Sequence, residues 1–127
     1  MLDTSTCIHI MRSDDRKLWE RVNRHAEQLC ISSLVLAELR FGAENSSRVA
    51  DNLDTVEEFS ARLVVLSFDA EAASSYGRLR FLIKTQPIGA LDMLIAAHAR
   101  SADLIFVTDT VGEFERVPDL RIENWVR

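Results

Sequence analysis

Apolar positions along the chain change period repeatedly, short runs alternating with longer amphipathic stretches. This is the pattern of strands interleaved with helices, as in an α/β fold with a parallel sheet. Met1 to Asp3 can form only a very short first strand, and Thr4 to Met11 reads as a short helix. From Asp14 to Gln28, Leu18, Val22 and Ala26 recur at every fourth position, which predicts a helix with one buried stripe. Leu29-Cys30-Ile31 is a short buried strand, after which Ser32 or Ser33 caps a helix over Leu34 to Phe41 and Gly42 stops it. Val49, Leu53, Val56 and Leu63 mark another stripe, so a helix over Ser47 to Ala61 precedes a strand at Leu63 to Leu66. The next helix begins near Asp69 and runs toward Lys84, with Ala70, Ala72, Ala73, Ser74 and Ser75 permitting close packing. Pro87-Ile88-Gly89 is a turn and Ala90 to Ser101 a helix. Leu104 to Val107 is the clearest strand, followed by a helical segment over Val111 to Arg116 and a last strand at Arg121 to Glu123.

The 127 residues suit one domain over 1–127 with a core of its own, and 47% hydrophobic with 28% charged residues is the balance of a globular protein. No repeat or Pro-rich linker divides the chain. An acid at position 3 with no basic segment before an apolar run is not the pattern of a secretory signal, and no apolar stretch approaches the length of a membrane helix. Cys7 and Cys30 lie among apolar neighbours outside any CxxC pair, which reads as two buried free thiols in a reducing cytoplasm. The net charge of −5 disfavours a nucleic-acid partner unless some acids hold a cation. Between Glu71 and Asp92, however, there is no acid, and Arg78, Arg80 and Lys84 fall there, a patch that either faces phosphates or is a solvated helix face.

Four acids occupy awkward places. Glu38 is the single charge in Leu34-Val35-Leu36-Ala37-Glu38-Leu39, and a carboxylate in a stretch meant for burial needs a metal ion, an Arg or an exposed edge of the stripe. Asp3 and Asp109 each follow the carboxyl end of a strand-like segment, the edge of a parallel sheet where ligand crevices form, although capping or a turn explains either alone. Asp92 sits in the first turn of a largely apolar helix, where the dipole favours an anion. A shared hard cation explains all four at once, and carboxylate oxygens suit Mg²⁺ or Mn²⁺. Cys7, His9, Cys30 and His98 have no structural-zinc spacing. There is no P-loop, GxGxxG or GxSxG, and Ser5 stands where an aspartyl-phosphate phosphatase wants its second Asp.

Four stretches, in order and with their spacing, resemble the PIN-domain family and its VapC-type toxins. They are residues 1–8 (MLDTSTCI), 31–43 (ISSLVLAELRFGA), 87–99 (PIGALDMLIAAHA) and 106–117 (FVTDTVGEFERV). The resemblance implies a three-layer α/β/α PIN-like fold around a short parallel sheet, with Asp3, Glu38 and Asp92 holding Mg²⁺ or Mn²⁺ for metal-activated hydrolysis of RNA. In many relatives the fourth acid or amide falls at the position of Thr110, whereas this chain has Asp109 one residue earlier, so Asp109 is expected either as a substitute catalytic acid or as a group supporting the ligands from behind, and Thr108 as a hydrogen-bond donor to the cluster. The resemblance further suggests transfer RNA as substrate, in particular the initiator tRNA anticodon loop. It also implies an antitoxin whose C-terminal segment lies in an apolar groove, with Trp19 and Phe41 as candidate contacts, and a homodimer or larger toxin and antitoxin complex. The displaced fourth acid leaves a catalytically degenerate RNA- or protein-binding module as the alternative, and a phosphatase of small phosphoesters as a further one.

Overall fold

Strand β1, Cys30–Ser32, is buried at every position and pairs in parallel with β2, Val64–Leu66. Strand β3, Phe106–Val107, pairs in parallel with β4, Ile122–Glu123. The start of the chain joins the two ribbons, in a computed structural model that describes residues 1–126. The Leu2 N–H donates to the Cys30 carbonyl at 2.9 Å, the Asp3 N–H to Val107 at 3.0 Å, and the Val107 N–H to Met1 at 2.8 Å. The spatial order is therefore β2, β1, residues 1–3, β3, β4, all parallel, with Leu2 forming a single bridge rather than a longer strand. Chain order reverses at the central segment, which makes residues 1–3 the topological switch point.

Helices fill the crossovers. They are α1 (Thr4–Arg12), α2 (Arg16–His25, continued by a 3₁₀ turn over Ala26–Gln28), α3 (Ser33–Glu44), α4 (Val49–Ala61), α5 (Ala70–Leu82), α6 (Ala90–Ser101) and α7 (Val111–Phe114). Helix α3 packs on α1 and α4, while α5 packs along α6. Because parallel crossovers are right-handed, α1 to α4, made while the sheet grows one way, and α5 to α6, made as the chain returns, cover opposite faces. Helix α6 is apolar nearly all round, with Met93 and every residue from Ile95 to Ala99 buried, and so runs through the interior. Its His98 is buried, and Nδ1 lies 2.8 Å from the Ser32 hydroxyl. Burial lowers the His98 pKa from its usual 6.5, an effect that Asp69 opposes.

Element types follow the expected pattern, and the departures have local causes. Helix α3 passes through Gly42, because Ala43 extends the buried row of Val35 and Leu39 by one more turn and Asn45 N–H closes the helix on the Phe41 carbonyl at 2.9 Å. The strand read at Leu104 to Val107 pairs only at Phe106 and Val107. Asp103, at φ 54°, turns the chain, and Leu104 N–H donates back to the Ala99 carbonyl of α6 at 3.0 Å. Helix α5 ends at Leu82 rather than Lys84, and its small residues Ala70, Ala73 and Ser74 face solvent while Ala72 and Leu79 carry the packing.

Ser32 ends β1 and caps α3, its hydroxyl accepting the Leu34 N–H at 3.1 Å. Ser32→Ala removes that cap and the buried partner of His98 together, and is expected to cost about 2 kcal/mol in a urea titration. A loss below about 0.5 kcal/mol, the scale of a neutral surface change, would contradict this account.

A candidate acidic site at the carboxyl edge of the sheet

Asp3 is the last residue of the central extended segment and the N-cap of α1, and it is only 5% exposed. A buried carboxylate needs donors. Oδ1 accepts the Thr6 N–H at 2.9 Å and has the Ser5 hydroxyl at 3.1 Å, while Oδ2 accepts the Thr108 hydroxyl at 2.5 Å. Thr108 itself accepts the Thr110 N–H at 3.0 Å, so its one proton is left for Asp3. The end of β3 thereby locks the acid at the end of the neighbouring segment.

Glu38 reaches the same edge from α3, where β1 hands the chain into the helix at Ser32. Its Oε1 accepts the Thr4 hydroxyl at 2.5 Å, one residue beyond Asp3. The oddity of a charge in an apolar run resolves in this way, since Glu38 is half-buried at the margin of the stripe. Asp92 comes from the first turn of α6, and Gly89, the N-cap, lies so close that a Cβ there would be 3.6 Å from Oδ2. Burial raises the Asp92 pKa from 3.8 to about 6, aided by the charge and hydrogen bond of Glu113 and then by the charges of Glu38 and Asp3. Asp92 and Glu113 thus lie within hydrogen-bonding reach of each other at an edge crowded with carboxylates.

Glu113 escapes a reading of the sequence. It stands in the first turn of the four-residue α7, beside buried Phe114, and faces the acids from the side that the periodicity leaves undefined. Its signal is that first-turn position directly after a strand, which the helix dipole favours for an acid. Asp109 borders the cluster, one hydroxyl away from Asp3 through Ser5 and in a shared hollow with Glu113. Its Oδ1 accepts the Ser5 hydroxyl at 2.5 Å, on the side of a shallow hollow formed with Ile8, His9 and Arg12, and it is not among the charges that act on Asp92.

Among the described residues, no ion pair involves Asp3, Glu38, Asp92, Asp109 or Glu113. Nor do three carboxylate, imidazole or thiolate side chains close into a ready metal cage. Cys7 and Cys30 are free and buried, and burial pushes the Cys7 thiol up, away from nucleophilic or ligand chemistry. Next to the acids, α1, α3 and α4 enclose a groove of about 330 Å³ with Ile8, Met11, Leu39 and Val56 on its walls and Glu38 at its edge. Phe41 is 69% exposed, whereas Trp19 is tied into the fold by its Nε1 donating to the Ser13 carbonyl at 2.8 Å. No described helix is long and apolar enough to cross a membrane.

A parallel sheet with carboxylates gathered at its carboxyl edge places the chain in the class of α/β proteins with an acidic crevice. Within that class it belongs to the PIN domain family, whose sequence pattern matches residues 1–120. The chain is 44% identical to the tRNA(fMet)-specific endonuclease VapC of Salmonella typhimurium, over 98% of this chain and 96% of that protein. It is 40% identical to the ribonuclease VapC2 of Haemophilus influenzae, over 99% and 97%. The DNA-bound VapBC structure from Salmonella typhimurium superposes with a TM-score of 0.95 at 44% identity, covering 98% of this chain and 96% of that one.

The raised Asp92 pKa fixes the sign of a pH effect on the metal-free protein. Between 3.8 and about 6 the folded state retains a proton that the unfolded state has released, so stability falls as pH rises through this window. Asp92→Asn is expected to flatten that fall and to stabilise the protein at neutral pH by on the order of 1 kcal/mol, solvent screening considered. Urea midpoints of both proteins from pH 4 to 7 measure it, and parallel curves would remove the repulsion from the account.

Proposed function

We propose that this chain is a divalent-metal-dependent endoribonuclease that acts as the toxin of a toxin and antitoxin pair in the cytoplasm, with transfer RNA as its substrate. The observation that carries the reading is a set of carboxylates at one sheet edge that forms no ion pair with any Lys or Arg among the described residues, with the Asp92 pKa raised by burial and then by its acidic neighbours. The nuclease names of relatives aligned over nearly the whole chain support it. So does a near-superposition on a VapBC structure.

The donor set fits a hard cation, being all carboxylate, and its open arrangement suits an ion that keeps most of its water. Asp3, Glu38, Asp92 and Glu113 would hold Mg²⁺ or Mn²⁺, which when bound neutralises phosphate charge and acidifies a water. The protein's own groups then have distinct tasks. Thr108, Ser5 and the Thr6 N–H fix both oxygens of Asp3, and Thr4 fixes Glu38, so the acids cannot swing apart. Whichever of Asp92 and Glu113 were not a direct ligand would be placed to receive the proton that water loses as its oxygen bonds to phosphorus and an ester oxygen leaves. We assign Asp109 to holding Ser5 rather than to the ligand set. The apolar groove beside Glu38 suits an antitoxin segment with apolar side chains along its length and one cation directed at Glu38, with Phe41 free at that helix for contact.

The test is cleavage of total tRNA by the purified, partner-free protein with Mg²⁺ or Mn²⁺, beside EDTA. Asp92→Asn and Glu113→Gln are expected to lower turnover by about 10²- to 10⁴-fold, and Asp109→Asn by about tenfold. A wild-type protein that cuts no RNA with either ion would overturn the reading. Equal losses at Asp109 and Glu113 would overturn the division of roles between them.

A further inference from the structure

One stretch of surface is unlike the rest of this acidic protein. At the carboxyl end of α5 and just past it Arg80, Phe81 and Lys84 are exposed on one side, while Arg78 lies on another side beside Arg100, and no acid occurs between Glu71 and Asp92. Among the described residues neither Arg80 nor Lys84 forms an ion pair. Phe81 is 59% exposed, although Leu79 and Ile83 already carry the helix's packing, so the fold does not explain an aromatic there. The Lys84 ammonium stands 4.6 Å from the Phe81 ring centroid, and Arg80 donates to the Tyr76 hydroxyl at 3.2 Å. The row leads toward the acids. Past Lys84 the chain turns at Pro87, whose carbonyl accepts Arg116 Nη1 at 3.3 Å, and enters α6 at Gly89, against Asp92. Arg116 is itself three residues beyond Glu113.

We propose that this row, Arg80, Phe81 and Lys84 with Arg116 at its near end, is the track that seats the RNA strand beside the acidic site, a reading that rests on the nuclease function above. A chain of net charge −5 with an acidic centre repels a polyanion, so a local cationic path is needed to bring phosphates within reach. The cations take phosphates, and Phe81 offers a flat apolar face on which an unpaired base of a loop stacks. A second copy of the chain fits this face poorly. Pairing about a two-fold axis would bring an acid-free cationic surface against itself.

The test uses the full-length protein carrying Arg80→Ala with Lys84→Ala, and separately Phe81→Ala, none of which touches the acids. Filter retention of tRNA is measured across a salt series, with cleavage kinetics and oligomeric mass in parallel. The double variant is expected to weaken binding and to lower the slope of log affinity against log salt by about 2, one for each cation removed, with kcat within about twofold of wild type. Phe81→Ala is expected to weaken binding about tenfold with an unchanged slope. Wild-type affinity and slope in both variants would overturn the track, as would a change of mass with RNA binding intact, which would make the face a contact between copies. These results are separable from the nuclease reading, which falls if the wild-type protein cuts no RNA with either ion, whatever the variants do to binding.

Discussion

A carboxylate buried at the end of a parallel strand is the constraint on which this structure turns. Asp3 is anchored in three directions at once: to the amide that opens α1, to a hydroxyl on that helix and to the threonine that ends β3. The Thr6 amide and the Thr108 hydroxyl are the firm donors, one to each oxygen, since the single Ser5 proton is shared with Asp109, and a buried charge without them would be costly. The consequence is that the centre of the sheet and the start of the acidic site are a single object. Anything that shifts β3 against the first residues moves Thr108 off Asp3.

The remaining acids are delivered by helix starts. Ser32 ends a strand and opens α3, which sends Glu38 across to Thr4, and Gly89 opens α6, which delivers Asp92 in its first turn. Helix beginnings at the carboxyl edge of a parallel sheet all point their free N–H groups one way, so the edge carries a positive field that partly offsets the crowding of carboxylates. The offset is incomplete, and burial together with the neighbouring charges still raises the Asp92 pKa. The charge on Asp92 costs the fold stability, which is the usual relation between a site and its scaffold.

Much of this can be seen in the sequence, for reasons that differ from residue to residue. Asp3, Glu38 and Asp92 stand out because each interrupts or terminates an apolar element that is long enough to have a period. Glu113 does not, since a four-residue helix has no period to violate and Glu115 nearby is equally acidic. Asp109 attracts attention by adjacency to a strand end, yet the backbone after Thr108 turns it toward Ser5 instead. Strand lengths are similarly hidden: nothing in Leu104 or Ile105 reveals that a left-handed Asp103 spends the first of these residues on closing α6. The helices were easier because their stripes of buried residues span three or more turns.

The bond between Thr108 and Asp3 joins positions 105 residues apart. During synthesis on the ribosome the first acid of the cluster therefore waits, without its partner strand, until nearly the whole chain has emerged. A polypeptide that stops short of Thr108 lacks this anchor, so the crevice takes its final geometry only once β3 has been made and has docked beside the first residues.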